Sequence, residues 1–266
     1  MENHIHATVP IEIIQRHLRR RRLGVGVSKA TIDREVEILR AAFRLAYRRE
    51  TLPKVPYFPF FNVNQVKMKF FEPGETEKLI GKLPDVLGEI VRFVSLTGWR
   101  ISEVLSLRWE SVDMTVREIR LGSTKNGRPR TLALNGALWD LLVCRWKARE
   151  YRTKKSSGIA AYVFHRRGGR PICYSAYRKE FVDACEQAGI VGKTTHDFRR
   201  TVARDLRRAG VSETVCMTIT GHESPQVFRR YAIVATKEQE AAFEARTLLL
   251  ASEAARAKQS SLARLT

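Results

Sequence analysis

The sequence predicts a mainly α-helical protein with one small antiparallel β-sheet, an α+β class in which the strands are confined to one place. Three observations lead there. Apolar residues recur at three- and four-residue spacing through most of the chain, two short alternating runs flank an Asn-Gly pair, and Pro53, Pro56 and Pro59 interrupt an aromatic stretch early on.

Taken in order, a short helix is expected over Val9 to Leu18. In residues 31–50, Ile32, Val36, Leu39, Phe43, Ala46 and Tyr47 share one helical face, so a second helix starts near Ser28 and stops before Pro53. The proline-interrupted segment 53–68 reads either as a linker between domains or as a surface loop within one. The chain accordingly divides into a partial helical domain over 1–65 and a larger domain over 66–266. Glu75–Leu83, Val86–Thr97 and Ser102–Leu107 read as helices, and Glu118–Leu121 and Thr131–Leu134 as strands. Between the strands, Asn126-Gly127 supplies the two positive-φ positions of a tight hairpin turn. Helices over 135–150, 174–189, 196–209, 212–219, 224–231 and 237–257 complete the pattern.

Charge narrows the function. The 266 residues carry 48 Lys+Arg against 28 Asp+Glu, a formal net charge of +20, which points to a polyanionic partner, most simply nucleic acid. The excess is spread along the chain: residues 1–65 hold 12 basic and 6 acidic side chains, and 145–170 hold nine basic residues against Glu150. Residues 237–258 are balanced, four against four, so the last helix is not built to lie on phosphate. Cys144, Cys173, Cys185 and Cys216 form no C-x-x-C pair and read as reduced thiols of a cytoplasmic protein, with no zinc site or disulfide framework. No stretch approaches the roughly 18 apolar residues of a membrane span, and no apolar signal core opens the chain. Neither a nucleotide-binding loop nor the acidic cluster of a two-metal nuclease is apparent, so no cofactor or metal is expected.

Five pieces of sequence remain. Thr97-Gly98-Trp99-Arg100-Ile101-Ser102-Glu103 places an Arg just after a helix-ending Gly, and Lys125 sits in the hairpin turn. His196-x-x-Arg199 sets two side chains three apart on a helix, Gly221-His222 opens a turn, and Tyr231 follows nine residues later. Each alone has a dull explanation: a helix-start ion pair, a solvated turn lysine, a structural pair, a surface cap, a core aromatic. Their order is what carries information. Over residues 69–235 the chain resembles the tyrosine recombinases, also called the phage integrase family, and Val27 to Thr51 is similar to a helix of that family's upstream DNA-clamping domain.

The resemblance implies the tyrosine-recombinase catalytic fold behind a short helical clamp, and a site made of Arg100, Lys125, His196, Arg199, His222 and Tyr231. Two guanidinium forks, Arg100 and Arg199, suit the nonbridging oxygens of a phosphodiester under attack, and His222 can donate a further hydrogen bond. Tyr231 is the expected nucleophile, storing the bond energy in a 3′-phosphotyrosyl link without ATP. His196 accepts the phenolic proton or orients the phosphate, and Lys125 protonates the leaving 5′-oxygen. Glu103 either holds a catalytic Arg or His or is an exposed helix charge. Arg19, Arg20, Arg21 and Arg22, with Arg166 and Arg167, are candidate DNA contacts, although the first run reads equally as solvated charge.

The implied function is a site-specific recombinase of a prophage or other mobile element, acting on double-stranded DNA in the bacterial or archaeal cytoplasm, at the nucleoid. Its implied partners are three further copies in a synaptic tetramer and accessory DNA-bending or directionality proteins. The alternatives are an idle DNA-binding protein of the same fold and a type IB topoisomerase-like activity. Because only about 65 residues precede the catalytic region, the clamp is expected to be truncated and site discrimination weak. The C-terminal helix either docks on a neighbouring copy or packs on its own domain.

Overall fold

The computed structural model describes residues 16, 20, 21, 28–61, 68–122, 129–154, 156–229 and 243–253. Most of the helix expected over Val9 to Leu18, the Asn126-Gly127 turn, and Arg19, Arg22, Lys125 and Tyr231 lie outside them. The chain forms two compact units, 1–68 and 69–266.

In the first unit, helix α1 (Lys29–Arg48) begins where the sequence places it, with Ser28 as N-cap accepting the Thr31 N–H at 3.1 Å. Its buried stripe, Ile32 and Val36, meets Phe58, and Leu39, Phe43, Val55, Phe60 and Phe61 pack around them. The reading of 53–68 as a linker is therefore corrected over its described part. Phe58, between Pro56 and Pro59, buries its ring on α1, and Asp33 accepts the Phe61 N–H at 2.7 Å. Prolines cap the segment's backbone freedom and leave its side chains available for packing.

The second unit is built around α3 (Asp85–Thr97), which packs on α2 (Glu75–Ile80) and on α7 (Thr195–Arg208). Its apolar residues run almost all round, with Leu87, Ile90, Val91, Phe93 and Val94 all buried, as expected of a helix surrounded by protein. After the single turn α4 (Ile101–Leu105) comes a three-stranded antiparallel sheet of β1 (Val112–Asp113), β2 (Glu118–Leu121) and β3 (Arg130–Ala133), in that order. The β2–β3 register pairs Ile119 with Leu132, both facing the core, and ends at Leu121 opposite Arg130.

Helix α5 (Gly136–Lys147) is followed by two antiparallel ribbons that the sequence did not suggest: β4 (Glu150–Arg152) with β5 (Ser157–Ile159), and β6 (His165–Arg166) with β7 (Arg170–Pro171). They are too short to show a hydrophobic period. Helices α6 (Tyr174–Gln187), α7, α8 (Glu213–Thr220) and α9 (Pro225–Arg229) complete the unit, with a further helical stretch over 243–253. That stretch exposes Phe243, Leu248, Leu249 and Leu250. Among the described residues no helix is long and apolar enough to cross a membrane.

Two contacts tie the core to the segment that carries the site. Phe71 stacks on Phe198 of α7 with ring centroids 3.7 Å apart, and its N–H donates to the Thr201 hydroxyl at 2.9 Å. Arg145, which contributes to the basic stretch 145–170, is buried: it pairs with Glu89 at 3.0 Å and donates to the Val163 carbonyl, adding nothing to the surface charge. Because Phe71 fixes α7, Phe71→Ala is expected to cost about 3–5 kcal/mol of stability, the scale for emptying a buried aromatic site. Urea denaturation measures it, and a loss below about 1 kcal/mol would show that the stack does not anchor α7.

Candidate active site

The site grows from two helix ends that meet. Helix α3 stops at Gly98, whose φ of 66° is left-handed, a conformation that costs glycine nothing. A side chain at that position would also press on Thr220 and Val202, 3.2 Å from each. Helix α8 stops in the same way at Gly221, φ 74°. The two ends are stitched together by the buried Trp99, whose indole N–H donates to the Ile219 carbonyl at 2.9 Å.

Between them lies Arg199 of α7, only 2% exposed. Its guanidinium donates to the Gly98 carbonyl at 3.0 Å, to the Thr220 carbonyl and, through Nε, to His222 Nε2 at 3.1 Å. Helix C-termini carry partial negative charge and unpaired carbonyls, so they suit a buried cation. The same contacts fix the protonation of His222. The Thr220 hydroxyl donates to the Cys216 carbonyl at 2.7 Å, so at its 2.7 Å contact with His222 Nδ1 it accepts. The ring is therefore neutral, protonated on Nδ1, and Nε2 accepts from Arg199. Burial, then Arg199, Arg100, His196 and Arg130, push the His222 pKa down to about 3. Without a bound anion, the His222 Nε2 that the resemblance implies as a donor to phosphate is taken up by Arg199 Nε. Phe228 of α9 packs edge-on against the ring, centroids 5.4 Å apart.

Arg100, by contrast, is exposed at the N-terminus of α4. Glu103 reaches back to it, accepting the Arg100 backbone N–H at 3.2 Å and its guanidinium at 3.3 Å. Glu103 thus holds a site arginine and is no exposed helix charge. Its carboxylate also pairs at 2.6 Å with Arg130 of β3, a residue absent from the sequence reading. The available signal was positional, because Arg130 lies two residues from the buried Leu132 and so shares the inward face of β3. Arg100, Glu103, Arg120, Arg130, His222 and Pro225 line one cleft of about 1160 Å³. The described chain on both sides of Lys125, ending at Gly122 and resuming at Pro129, lines it too.

His196 opens α7 at the surface. Packing around part of its ring, then Arg200 and Arg199, lower its pKa, against the pull of Asp197. Asp197 also accepts the Thr194 N–H at 2.7 Å, capping α7 and setting where His196 stands. The candidate DNA contacts separate. Arg20, Arg166 and Arg167 are exposed, whereas Arg21 pairs with Glu35. His165 is buried at the start of β6, with Nδ1 against the Arg166 carbonyl. Among the described residues no group of three or more His, Cys, Asp or Glu side chains could hold a metal ion.

The His222 environment makes a prediction. Its folded pKa lies below the ordinary 6.5, so below pH 6.5 the unfolded chain binds more protons. This contribution to stability is lost progressively as pH falls from 6.5 toward 3. Imidazole NMR of the DNA-free protein should show His222 neutral, protonated on Nδ1 and flat from pH 5 to 8, whereas a midpoint near 6.5 would contradict the Arg199–Thr220 clamp.

Known proteins show the same plan. The integrase of Salmonella phage P22 is 29% identical over 217 residues, covering 77% of this chain and 54% of its own length. The ICEBs1 integrase of Bacillus subtilis (strain 168) is 24% identical, covering 77% of this chain and 62% of its own. The chain thus spans about half to three-fifths of these relatives. Among solved structures, the Tn1549 transposon integrase in complex with circular intermediate DNA matches with a TM-score of 0.72 at 20% identity, covering 90% of this chain and 86% of that one. A lambda integrase tetramer bound to a Holliday junction matches at 0.63 and 14% identity, covering 83% and 62%. These structures share the fold: mostly helical, with small antiparallel sheets. Residues 70–238, more than half of the chain and including the whole Arg100–Arg199–His222 arrangement, match the family model described as the phage integrase family, and the protein belongs to that family.

Proposed function

We propose that this chain is a site-specific DNA recombinase that cleaves and rejoins strands through a covalent 3′-phosphotyrosyl intermediate on Tyr231. The observation that carries this reading is the convergence of Arg100, Arg199 and His222 at the meeting of two helix ends, on the edge of one cleft. A phosphodiester gains charge on its nonbridging oxygens as phosphorus is attacked, and fixed donors at that place lower the barrier. Arg100 offers an accessible fork. Arg199 is already oriented, and an anion entering the cleft would draw its Nε–H from His222 and raise the His222 pKa, turning that ring into a donor.

The steps balance without an outside reagent. The Tyr231 hydroxyl oxygen bonds to phosphorus while the bond from phosphorus to the 5′-oxygen breaks. The phenolic proton passes to His196, whose lowered pKa keeps it neutral and able to accept near pH 7. Lys125 gives a proton to the 5′-oxygen, and the reverse steps reseal a strand. The second unit, 69–266, performs this chemistry. The first, with Arg40 and Arg44 beside Tyr57 and Phe60 on one surface, helps hold the duplex. Recombination proceeds in a tetramer around paired DNA sites, with accessory DNA-bending proteins setting direction. The net charge of +20 supports such a partner and implies binding that weakens steeply with salt.

The test is covalent capture from a pool of nicked duplexes of random sequence. Wild-type protein should form an adduct that survives detergent, and the captured DNA identifies a cleavable site. Tyr231→Phe should bind the pool normally and form none, and Arg100→Lys or Arg199→Lys should cut adduct formation about a hundredfold or more, because a point charge cannot replace the fork. Wild-type protein that binds but yields no adduct would leave a DNA-binding protein without catalysis, and an adduct persisting in Tyr231→Phe would assign the nucleophile elsewhere.

A further inference from the structure

Arg130 is a costly residue to place where it lies. Its side chain is 10% exposed, its guanidinium sits 4.4 Å over the Trp99 ring, and its Nε–H is buried without a partner among the described residues. Burial opposes its charge, and Arg100 adds repulsion. Gly221 makes room for it, since a Cβ there would fall 1.3 Å from Arg130 Nη1. A well-packed apolar side chain commonly does as well as a buried ion pair for stability alone. The contacts of Arg130 lead instead to the phosphate site. Its Nη2 takes the short 2.6 Å bond to Glu103 Oε2, the same oxygen that accepts the Arg100 N–H at 3.2 Å, while Arg100 keeps only a 3.3 Å contact to Oε1.

From this arrangement we infer that Arg130 is a positioning residue for Arg100: it takes up the charge of Glu103, so that Glu103 fixes Arg100 in place without neutralising it. One carboxylate shared by two guanidinium groups leaves these three side chains with one net positive charge. Without Arg130, Glu103 turns wholly to Arg100, and the phosphate meets a balanced pair at that position. Trp99 contributes by holding the Arg130 guanidinium over its ring, a cation–π contact that a desolvated site strengthens. The inference rests on Arg100 being a phosphate ligand, as proposed above.

Single-turnover cleavage of a duplex recovered by wild-type capture tests it, with Arg130→Met, Glu103→Gln and the double variant, each checked by thermal melting. Arg130→Met should lower the cleavage rate about tenfold or more while leaving duplex affinity near the wild-type value, and in the Glu103→Gln background the same change should cost little, a coupling of interacting neighbours. Arg130→Lys, which keeps a charge opposite Glu103 and guards against misfolding of the Met variant, should cleave faster than Arg130→Met. An equal loss in both Glu103 backgrounds, or no loss with an active wild type, overturns this inference alone. A wild type that forms no adduct overturns the proposed function, and this inference with it.

Discussion

A guanidinium that is 2% exposed must be held by acceptors, and the rest of the site follows from where Arg199 finds them. Leaving such a charge unmet in the interior would cost several kcal/mol, of the order measured when one member of a buried pair is removed. The solution is to end α3 and α8 at the same place, each on a left-handed glycine, so that the carbonyls of Gly98 and Thr220 face Arg199. Both helix dipoles then add to the hold. Trp99 locks the two ends to each other, and the residue after it is Arg100, while the residue after Gly221 is His222. One buried charge thereby fixes the positions of two further groups.

Holding cations close together before any anion arrives is unfavourable, and the site carries that strain in a rigid setting. Arg100, Arg130 and Arg199 lie around Glu103 and a His222 whose proton has been driven off its second nitrogen. Groups oriented in advance need no reorganisation when charge develops on phosphorus, which is where electrostatic catalysis gains most. On the proposed function, the contacts from Arg199 to His222 and from Arg100 to the Gly221 carbonyl at 3.4 Å are those an oxyanion would replace. Stability is traded here for readiness, a common pattern at functional sites.

Much of this was legible in the sequence where the information is local. Ser28 as a cap, the α1 face of Ile32 and Val36, and the β2 and β3 runs each depend on residues a few positions apart. The ordered motifs gave the family and the helix-ending glycine before Arg100. Contacts set by tertiary packing were not readable. Arg130 lies 27 positions from Glu103, Arg21 lies 14 from Glu35, and Arg145 lies 56 from Glu89. In each case a basic residue is paired with a carboxylate distant in sequence, which its immediate neighbours do not reveal. The DNA-free protonation of the His222 ring was not readable for the same reason, because it is decided by Thr220 and Arg199 together. The ribbons at 150–159 and 165–171 have two or three residues per strand, too few for an alternating pattern to declare itself.

The central claim is that the meeting of the α3 and α8 ends is a phosphate site formed before DNA arrives. A crystal structure of the Tyr231→Phe protein on a captured, uncleaved duplex tests it most directly. The account predicts one phosphate within hydrogen-bond distance of the Arg100 and Arg199 guanidinium groups, with Arg199 Nε turned from His222 to a phosphate oxygen and the Gly98 and Thr220 carbonyls unmoved. A backbone phosphate lodged elsewhere in the cleft, with Arg199 still bonded to His222, would contradict it.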